Sequence, residues 1–385
     1  MPLDTETLDQ LKQTVRRFVN ERLIPLEQQV ADSDQMPAEI IQEMRELGLF
    51  GLTIPEQYGG LGLNTFEECQ VVMELGRAAP AFRSIIGTNN GIGSQGIVMD
   101  GTDAQKAHYL PLLASGEFIG SFALTEPDAG SDAGAVKTKA LRDGDDFVIT
   151  GTKRYITNAP SAQVFTVFAR TDPDLPGSRG VSAFIVDADS AGISLGPANK
   201  KMGQQGAHVC DVMFDEVRVP ADNIIGGLAN MNKGFLTAMK TLDRGRLHIS
   251  ALSVGCAERL LDLSVTYAVE RKQFGQPIAE FQLLQGMMAD CKAESYAAQC
   301  MVLDAARRRD AGENVTTLAS CCKLFATEMV GRVADRAVQI HGGAGYMEEY
   351  AVARFYRDVR LFRIYEGTSQ IQQGIIARNL IKAAG

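Results

Sequence analysis

The chain has 385 residues, 45% of them hydrophobic and 22% charged, with a formal net charge of −9. That is globular composition, long enough for more than one packed unit. A broadly acidic surface repels phosphate backbones, which excludes nucleic acid as an expected partner and leaves any anionic ligand to local Arg, Lys or backbone N–H groups.

The first segment, residues 1–120, reads as helices. Leu8, Leu11, Val15, Phe18, Val19 and Leu23 recur at three- and four-residue steps and share one helical face. Pro37 is placed to open a second helix and Gly48 to stop it. Thr65 with Glu68, and Thr102 with Gln105, have capping-box spacing. Ile54-Pro55-Glu56-Gln57-Tyr58-Gly59-Gly60 is a turn-rich loop. Gly91, Gly93 and Gly96 fit a dinucleotide-binding spacing, but their surroundings are helical with no strand beside them, so a glycine-rich helix end is the better reading.

The character changes near Phe118. Short β-rich runs at 118–124, 147–150, 164–169, 181–186 and 209–219 are separated by turn formers such as Asp143-Gly144-Asp145. They predict a small all-β domain over 121–230, not alternating βαβ units. From 231 to 385 the pattern returns to helix, with long apolar-periodic stretches at 247–270, 281–309 and 318–341, a break at Gly342-Gly343, and a last helix after Thr368. The expected class is α+β: a helical N-terminal domain, a small β domain and a C-terminal helical bundle.

Seven cysteines, an odd number, suit neither a disulfide framework nor a zinc site by their spacing. Most fall in apolar helical stretches and point to a reducing compartment. Four scattered histidines form no metal constellation, so no metal is expected. The N-terminus lacks an apolar signal core and is too acidic for a transit peptide, and no apolar run spans a bilayer. The bacterial cytoplasm is the expected location, with the mitochondrial matrix as the alternative.

Three segments carry candidate chemistry. Leu124-Thr125-Glu126-Pro127-Asp128-Ala129-Gly130-Ser131-Asp132 closes a strand and offers backbone N–H groups and hydroxyls to a polar ring or thioester, although by itself it reads as a strand-ending turn. Arg271-Lys272-Gln273-Phe274-Gly275 follows a long helix, where Arg271 is either a dipole cap or a phosphate clamp. Ile364-Tyr365-Glu366-Gly367-Thr368-Ser369-Gln370-Ile371-Gln372 puts a Glu before a helix, either as a dipole partner or as a base.

Taken together with Tyr155-Ile156-Thr157-Asn158 and the stretch 339–343, these segments have an order and spacing that resemble the acyl-CoA dehydrogenase family along almost the whole chain. The resemblance implies FAD between the β domain and the C-terminal helices. Phe122, Leu124, Thr125 and Ser131 match the flavin-contacting strand and loop, with Ser131 also near coenzyme A. Thr157 would bond the reactive edge of the ring, and Tyr155 stands where many members carry Trp. Arg271, Phe274, Gln339 and Gly343 would reach the FAD of a neighbouring subunit, which implies an obligate oligomer, usually a tetramer. Thr368 and Gln370 would complete the cofactor site.

By the same resemblance Glu366 is the base that takes the α proton of an acyl-CoA thioester, flanked by Tyr365 and Gly367, and electron-transfer flavoprotein is the expected acceptor. Members that carry the base elsewhere do so at the position of Gly245. Arg246 and Asp243 match residues near the ligand, with ordinary salt bridging as the plainer reading. Arg83 interrupts an apolar stretch, where it is either an internal ion pair or a ligand for an anion. Glutaryl-CoA dehydrogenases have Tyr-Arg-Ser where this chain has Phe82-Arg83-Ser84, and their Arg binds the distal carboxylate. Gly76 departs from them, standing where they carry a pocket Glu. Related desulfinases also carry an Arg here but lack the Glu base. A dehydrogenase of plain short- or medium-chain acyl-CoA, an acyl-CoA oxidase and a non-catalytic acyl-CoA-binding protein are the alternatives.

Overall fold

Seven helices precede the first strand: α1 (Thr5–Phe18), α2 (Ile24–Ser33), α3 (Ala38–Glu46), α4 (Thr65–Leu75), α5 (Pro80–Thr88), α6 (Gln95–Asp100) and α7 (Asp103–Ser115). The computed structural model describes residues 2–384; Met1 and Gly385, the outer ends of the first and third expected segments, lie outside the described residues. The predicted face of α1 is buried at Leu8, Val15 and Phe18, and the chain continues through a π turn over Val19–Leu23 into α2. Pro37 caps α3, and Gly48, at φ 69°, ends it in the left-handed region that favours glycine.

Thr102 and Gln105 form the reciprocal cap of α7. At α4 the expected box is one residue out of phase: Asn64 and Glu67 make it. Asn is as good a cap as Thr, and Glu68, released from that duty, turns inward to 1% exposure. The glycines at 91, 93 and 96 lie in a π turn and the start of α6, and it is the helix α5, not a strand, that leads into them, although Gly120 and Thr166 of the following segment pack on the turn at Gly93. The turn is knitted by Asn89, whose side chain donates to Phe50 and Leu113 carbonyls and accepts from the Gly120 N–H.

The middle segment folds as one mixed sheet. Its strands are β1 (Gly120–Ala123), β2 (Lys139–Asp143), β3 (Asp146–Thr157), β4 (Val164–Arg170), β5 (Val181–Asp187), β6 (Ile193–Leu195) and β7 (Val209–Pro220), in the order β1-β4-β2-β3-β7-β6 with β5 on β4. β2 and β6 were not legible, being short and largely exposed. β1 is shorter than the apolar run that announces it. β3 shifts register against β7 twice, and its second irregularity, between Lys153 and Ile156, holds Tyr155 at φ 57°. Such bulges bend a strand and re-aim its side chains; here the bent end carries Tyr155 and Thr157.

The last segment is a bundle of α8 (Gly234–Glu270), α9 (Gln282–Asp310) and α10 (Thr316–His341), joined by α11 (Ala351–Val359) and α12 (Ser369–Ala384). A hairpin, β8 (Lys272–Gln273) and β9 (Gln276–Pro277), separates α8 from α9. α8 begins well before Leu247. Its first turns carry Asp243, Arg244 and Arg246, which interrupt the apolar stripe. The bundle core takes in Leu252, Leu260, Met329 and Phe355 together with Val72 and Met73 of α4, so the two helical segments share one interior. α4 meets α8 backbone to backbone: a Cβ at Gly76 would lie 2.7 Å from the Leu252 carbonyl oxygen, and one at Gly255 would overlap the Met73 carbonyl. Gly76 therefore has no room for a side chain.

Gly255→Ala should push these helices apart and cost about 1–3 kcal/mol of stability, read as a lower urea midpoint with an unchanged slope.

Candidate active site

A cavity of about 1210 Å³ opens where α5, the β domain and the C-terminal helices meet. This exceeds the roughly 300–1,000 Å³ usual for one small ligand and suits two. From the β domain, Phe122, Leu124, Thr125 and Ser131 line one wall, and Tyr155 and Thr157 stand beside them. Tyr155 is 62% exposed, presenting its ring at the mouth. Arg83 and Ser84 enter from α5, and Arg246 from α8. Tyr365, Glu366, Gly367, Thr368 and Gln370 close the opposite side. Asn158, just past β3, donates to the Ile85 carbonyl at 3.1 Å and ties that strand end to α5.

The loop after β1 is held from below by a pair that sequence reading missed. Glu126 accepts from the backbone N–H groups of Lys137 (2.6 Å) and Thr138 (2.9 Å) and from the Lys153 ammonium (2.8 Å). Lys153 is fully buried and also donates to the Leu124 carbonyl. Burial brings its ammonium down to about 8, against the pull of Glu126. The turn carrying Thr125 and Ser131 thus rests on a fixed ion pair.

Glu366 and Gly367 have φ of 57° and 91°, two successive left-handed residues in the segment before α12. For Glu this conformation is costly, and such strain collects at functional sites. Two donors hold the segment: Lys323 of α10 gives a hydrogen bond to the Gly367 carbonyl at 2.7 Å, and Gln372 Nε2 reaches the carbonyls of Glu366 (3.1 Å) and Gly367 (3.0 Å). Lys323 was not singled out from the sequence, and Gln372 stood in the candidate segment without a role. The Glu366 Oε2 is buried with no hydrogen-bond partner. Burial pushes the carboxyl above its ordinary range, opposed by the charges of Arg83, Arg246 and Lys323. The Lys323 ammonium is itself lowered by burial to about 8. A Cβ at Gly245 would overlap the Glu366 carboxylate, so any side chain at that turn of α8 would force the carboxylate from its present position.

Arg83 is 6% exposed and forms no ion pair with a carboxylate among the described residues, so the internal ion pair, one of its two expected roles, is not found. Its Nε–H donates to His248 Nε2 at 2.6 Å. The other ring nitrogen faces Glu68 Oε1 at 2.8 Å, and Glu68 Oε2 accepts from Arg244 at 2.9 Å. Ser84 Oγ donates to Gln204 Oε1 at 3.3 Å, and Gln204 also lines the cavity. Asp243 is occupied by Arg246 and by the Thr316 hydroxyl at 2.8 Å, so the salt bridge expected as the plainer role is present, while Arg246 keeps a face on the cavity.

Arg271, Phe274, Gln339 and Gly343 do not reach the cavity of their own chain. The hairpin and the end of α10 meet through Ala268, Ile278 and Ile340. All four residues are exposed there, Phe274 by 93%, at φ 55° on the hairpin tip.

Lys153→Met should strand Glu126 as an unpaired buried carboxylate. The expected loss is about 3–5 kcal/mol, measured by thermal unfolding at neutral pH and smaller at acid pH, where Glu126 is protonated.

The lining fits a flavin beside an acyl chain. Phe122 and Leu124 give an apolar wall, Thr125, Ser131 and Thr157 bring hydroxyls to it, and Thr368 with the face of α12 bearing Ile371 and Ile375 prolongs the cavity. Among the described residues no three His, Cys, Asp or Glu side chains are grouped to hold a metal ion, and no helix is long and apolar enough to cross a membrane. The N-terminal, middle and C-terminal domains of acyl-CoA dehydrogenase match residues 5–117, 121–217 and 232–381. The chain is 42% identical to the probable acyl-CoA dehydrogenase YngJ of Bacillus subtilis, over 98% of this chain and 99% of that one. It is also 42% identical to the caffeyl-CoA reductase-Etf complex subunit CarC of Acetobacterium woodii, over 92% of each. The structure of glutaryl-CoA dehydrogenase in complex with glutaryl-CoA superposes with a TM-score of 0.93 at 35% identity, covering 99% of this chain and 96% of that one. With its helical–β–helical order and a match along nearly its whole length, the chain belongs to the acyl-CoA dehydrogenase family of FAD-dependent oxidoreductases.

Proposed function

We propose that the enzyme removes the α and β hydrogens of an acyl-CoA whose acyl chain ends in a carboxylate. The observation that carries this reading is Arg83: a buried guanidinium, bonded to a neutral ring instead of a carboxylate, on the same cavity as Glu366. A desolvated arginine with no carboxylate bonded to it is costly, and an anionic substrate end would supply one. Ser84 and Gln204 beside it add polar partners.

Glu366 takes the α proton. Its partnerless oxygen and raised affinity for protons suit a base that must hold what it abstracts. The Glu366 backbone N–H is the group assigned to the thioester oxygen, steadying the enolate as it forms. Bound FAD supplies the two-electron acceptor for the hydride leaving the β carbon. Arg271, Phe274, Gln339 and Gly343, exposed together, are assigned to the FAD of a neighbouring subunit in a homotetramer. Electron-transfer flavoprotein is the assigned acceptor, in keeping with the CarC relative's Etf complex. The same relative is named a reductase, and proton transfer at Glu366 is reversible, so the site also serves enoyl-CoA reduction when electrons are supplied to it. The enzyme is assigned to the reducing cytoplasm of a bacterium, where its seven free thiols stay reduced.

The test compares glutaryl- or adipyl-CoA with an uncharged thioester of equal length, in wild type and Arg83→Ala, by stopped-flow flavin reduction. We expect the variant to lose about 10²-fold in kcat/KM on the dicarboxylyl substrate and little on the other. Equal losses on both would mean that Arg83 serves only Glu366. A wild type preferring the plain chain would replace the substrate assignment with short- or medium-chain acyl-CoA. Glu366→Gln is the control for the chemistry and should cost roughly 10²- to 10⁴-fold on either substrate.

Lys323→Met removes one of the cations that favour ionised Glu366. The base works only when deprotonated, so the acid limb of the pH–rate profile should move to higher pH, while any fall in the alkaline plateau reads the loss of the bond to the Gly367 carbonyl.

A further inference from the structure

The guanidinium of Arg83 is fixed by residues from three helices. Its Nε–H is taken by His248 of α8. The ring must then be neutral with its proton on Nδ1, since Nε2 accepts from Arg83 while Nδ1 faces the Glu68 carboxylate of α4. Burial, and then the charge of Arg83, bring His248 down to about 4, so it stays neutral through the physiological range. Burial pushes the Glu68 carboxyl up, but Arg244 and the His248 N–H outweigh it and hold it at about 2. The third constraint, after His248 and Glu68, is an absence of side chain. Arg83 folds back over the next turn of α5, and a Cβ at Gly87 would overlap its Nε and Cζ. The two terminal nitrogens make no hydrogen bond to the protein among the described residues, nor are they sealed off, and Arg83 borders the cavity.

We propose that His248, oriented by Glu68, and the bare Gly87 are specificity-determining positioning residues: together they hold Arg83 by its Nε so that both terminal nitrogens are presented to the far end of an anionic substrate. The proposal rests on the reading of Arg83 given above. An arginine on a long flexible stem loses affinity when it must be ordered at each binding event, whereas a guanidinium held in place gives a two-pronged carboxylate contact at little further cost. A cationic imidazole could not do this, because it would have no lone pair for the Nε–H and would add a second positive charge beside Arg83.

Three variants test it, each as the flavin-loaded enzyme, assayed at alkaline pH where Glu366 stays ionised. His248→Asn keeps a donor for Glu68 but removes the acceptor for Arg83. Gly87→Ala displaces the guanidinium while leaving Arg83, His248 and the helix intact. His248→Gln restores an acceptor near the Nε2 position. His248→Asn and Gly87→Ala should each raise KM for a dicarboxylyl-CoA roughly 10-fold or more, with kcat little changed and an uncharged thioester of equal length nearly unaffected. His248→Gln should recover most of the loss. A merely structural role would move both substrates and both constants together. If Arg83→Ala abolishes the preference for the charged substrate while His248→Asn and Gly87→Ala retain it, the positioning proposal is overturned and the substrate reading stands. If the wild type shows no charge preference, or Arg83→Ala keeps the preference, the substrate reading fails and takes this proposal with it. Should His248→Asn fail to fold, Gly87→Ala decides the matter alone.

Discussion

The Glu366 carboxylate sits in a cavity out of bulk water with one oxygen unpartnered. Left alone there it would take up a proton and cease to be a base. Arg83, Arg246 and Lys323 oppose that tendency from three different elements, α5, α8 and α10. None of them is its direct hydrogen-bond partner, so the carboxylate is made tolerable without being neutralised by contact. Each of these cations must in turn be held at its distance. Lys323 is anchored on the Gly367 carbonyl, Arg246 on Asp243 and Arg83 on His248. The arrangement of the helices around the cavity follows from keeping one anion and three cations apart but mutually felt.

The same economy governs the other wall. The loop after β1 is a polar turn that by composition would be mobile. Lys153 and Glu126 fix it by taking two backbone N–H groups and a carbonyl into one buried pair. A pair of this kind adds little net stability over apolar packing, but it resists rearrangement because either partner alone is expensive. The bulge in β3 works with it, delivering Lys153 inward and Tyr155 and Thr157 toward the cavity within a few residues of each other.

Periodicity was enough to find the long helices and the strands buried on both faces, because apolar spacing records burial directly. It failed where burial is partial, as at β2 and β6, or where a helix carries charges toward a cavity, as in the first turns of α8. Asn64 against Thr65 shows the limit of local chemistry: two adjacent capping residues compete, and Glu67 closes the cap while Glu68 is engaged by His248 and Arg244 from α8. Arg83 stood out as a charge in an apolar stretch, yet its partner lies 165 positions away and is uncharged. No pairing rule written in terms of opposite charges would find it. Glu366 was legible only through its company with other motifs, and Lys323 and Gln372, which shape its backbone, look in sequence like ordinary helix residues.

Gly245 and Glu366 occupy complementary volumes: the carboxylate fills the place where any side chain on that turn of α8 would begin. This bears on how such sites diverge. Relocating the base from the segment before α12 to α8 needs two substitutions, and the order matters little because both single steps are poor. Adding a carboxylate at 245 first crowds the one already present; removing Glu366 first leaves no base at all. The two placements thus exclude one another in space, and a glycine with no chemistry of its own is what leaves the carboxylate its position.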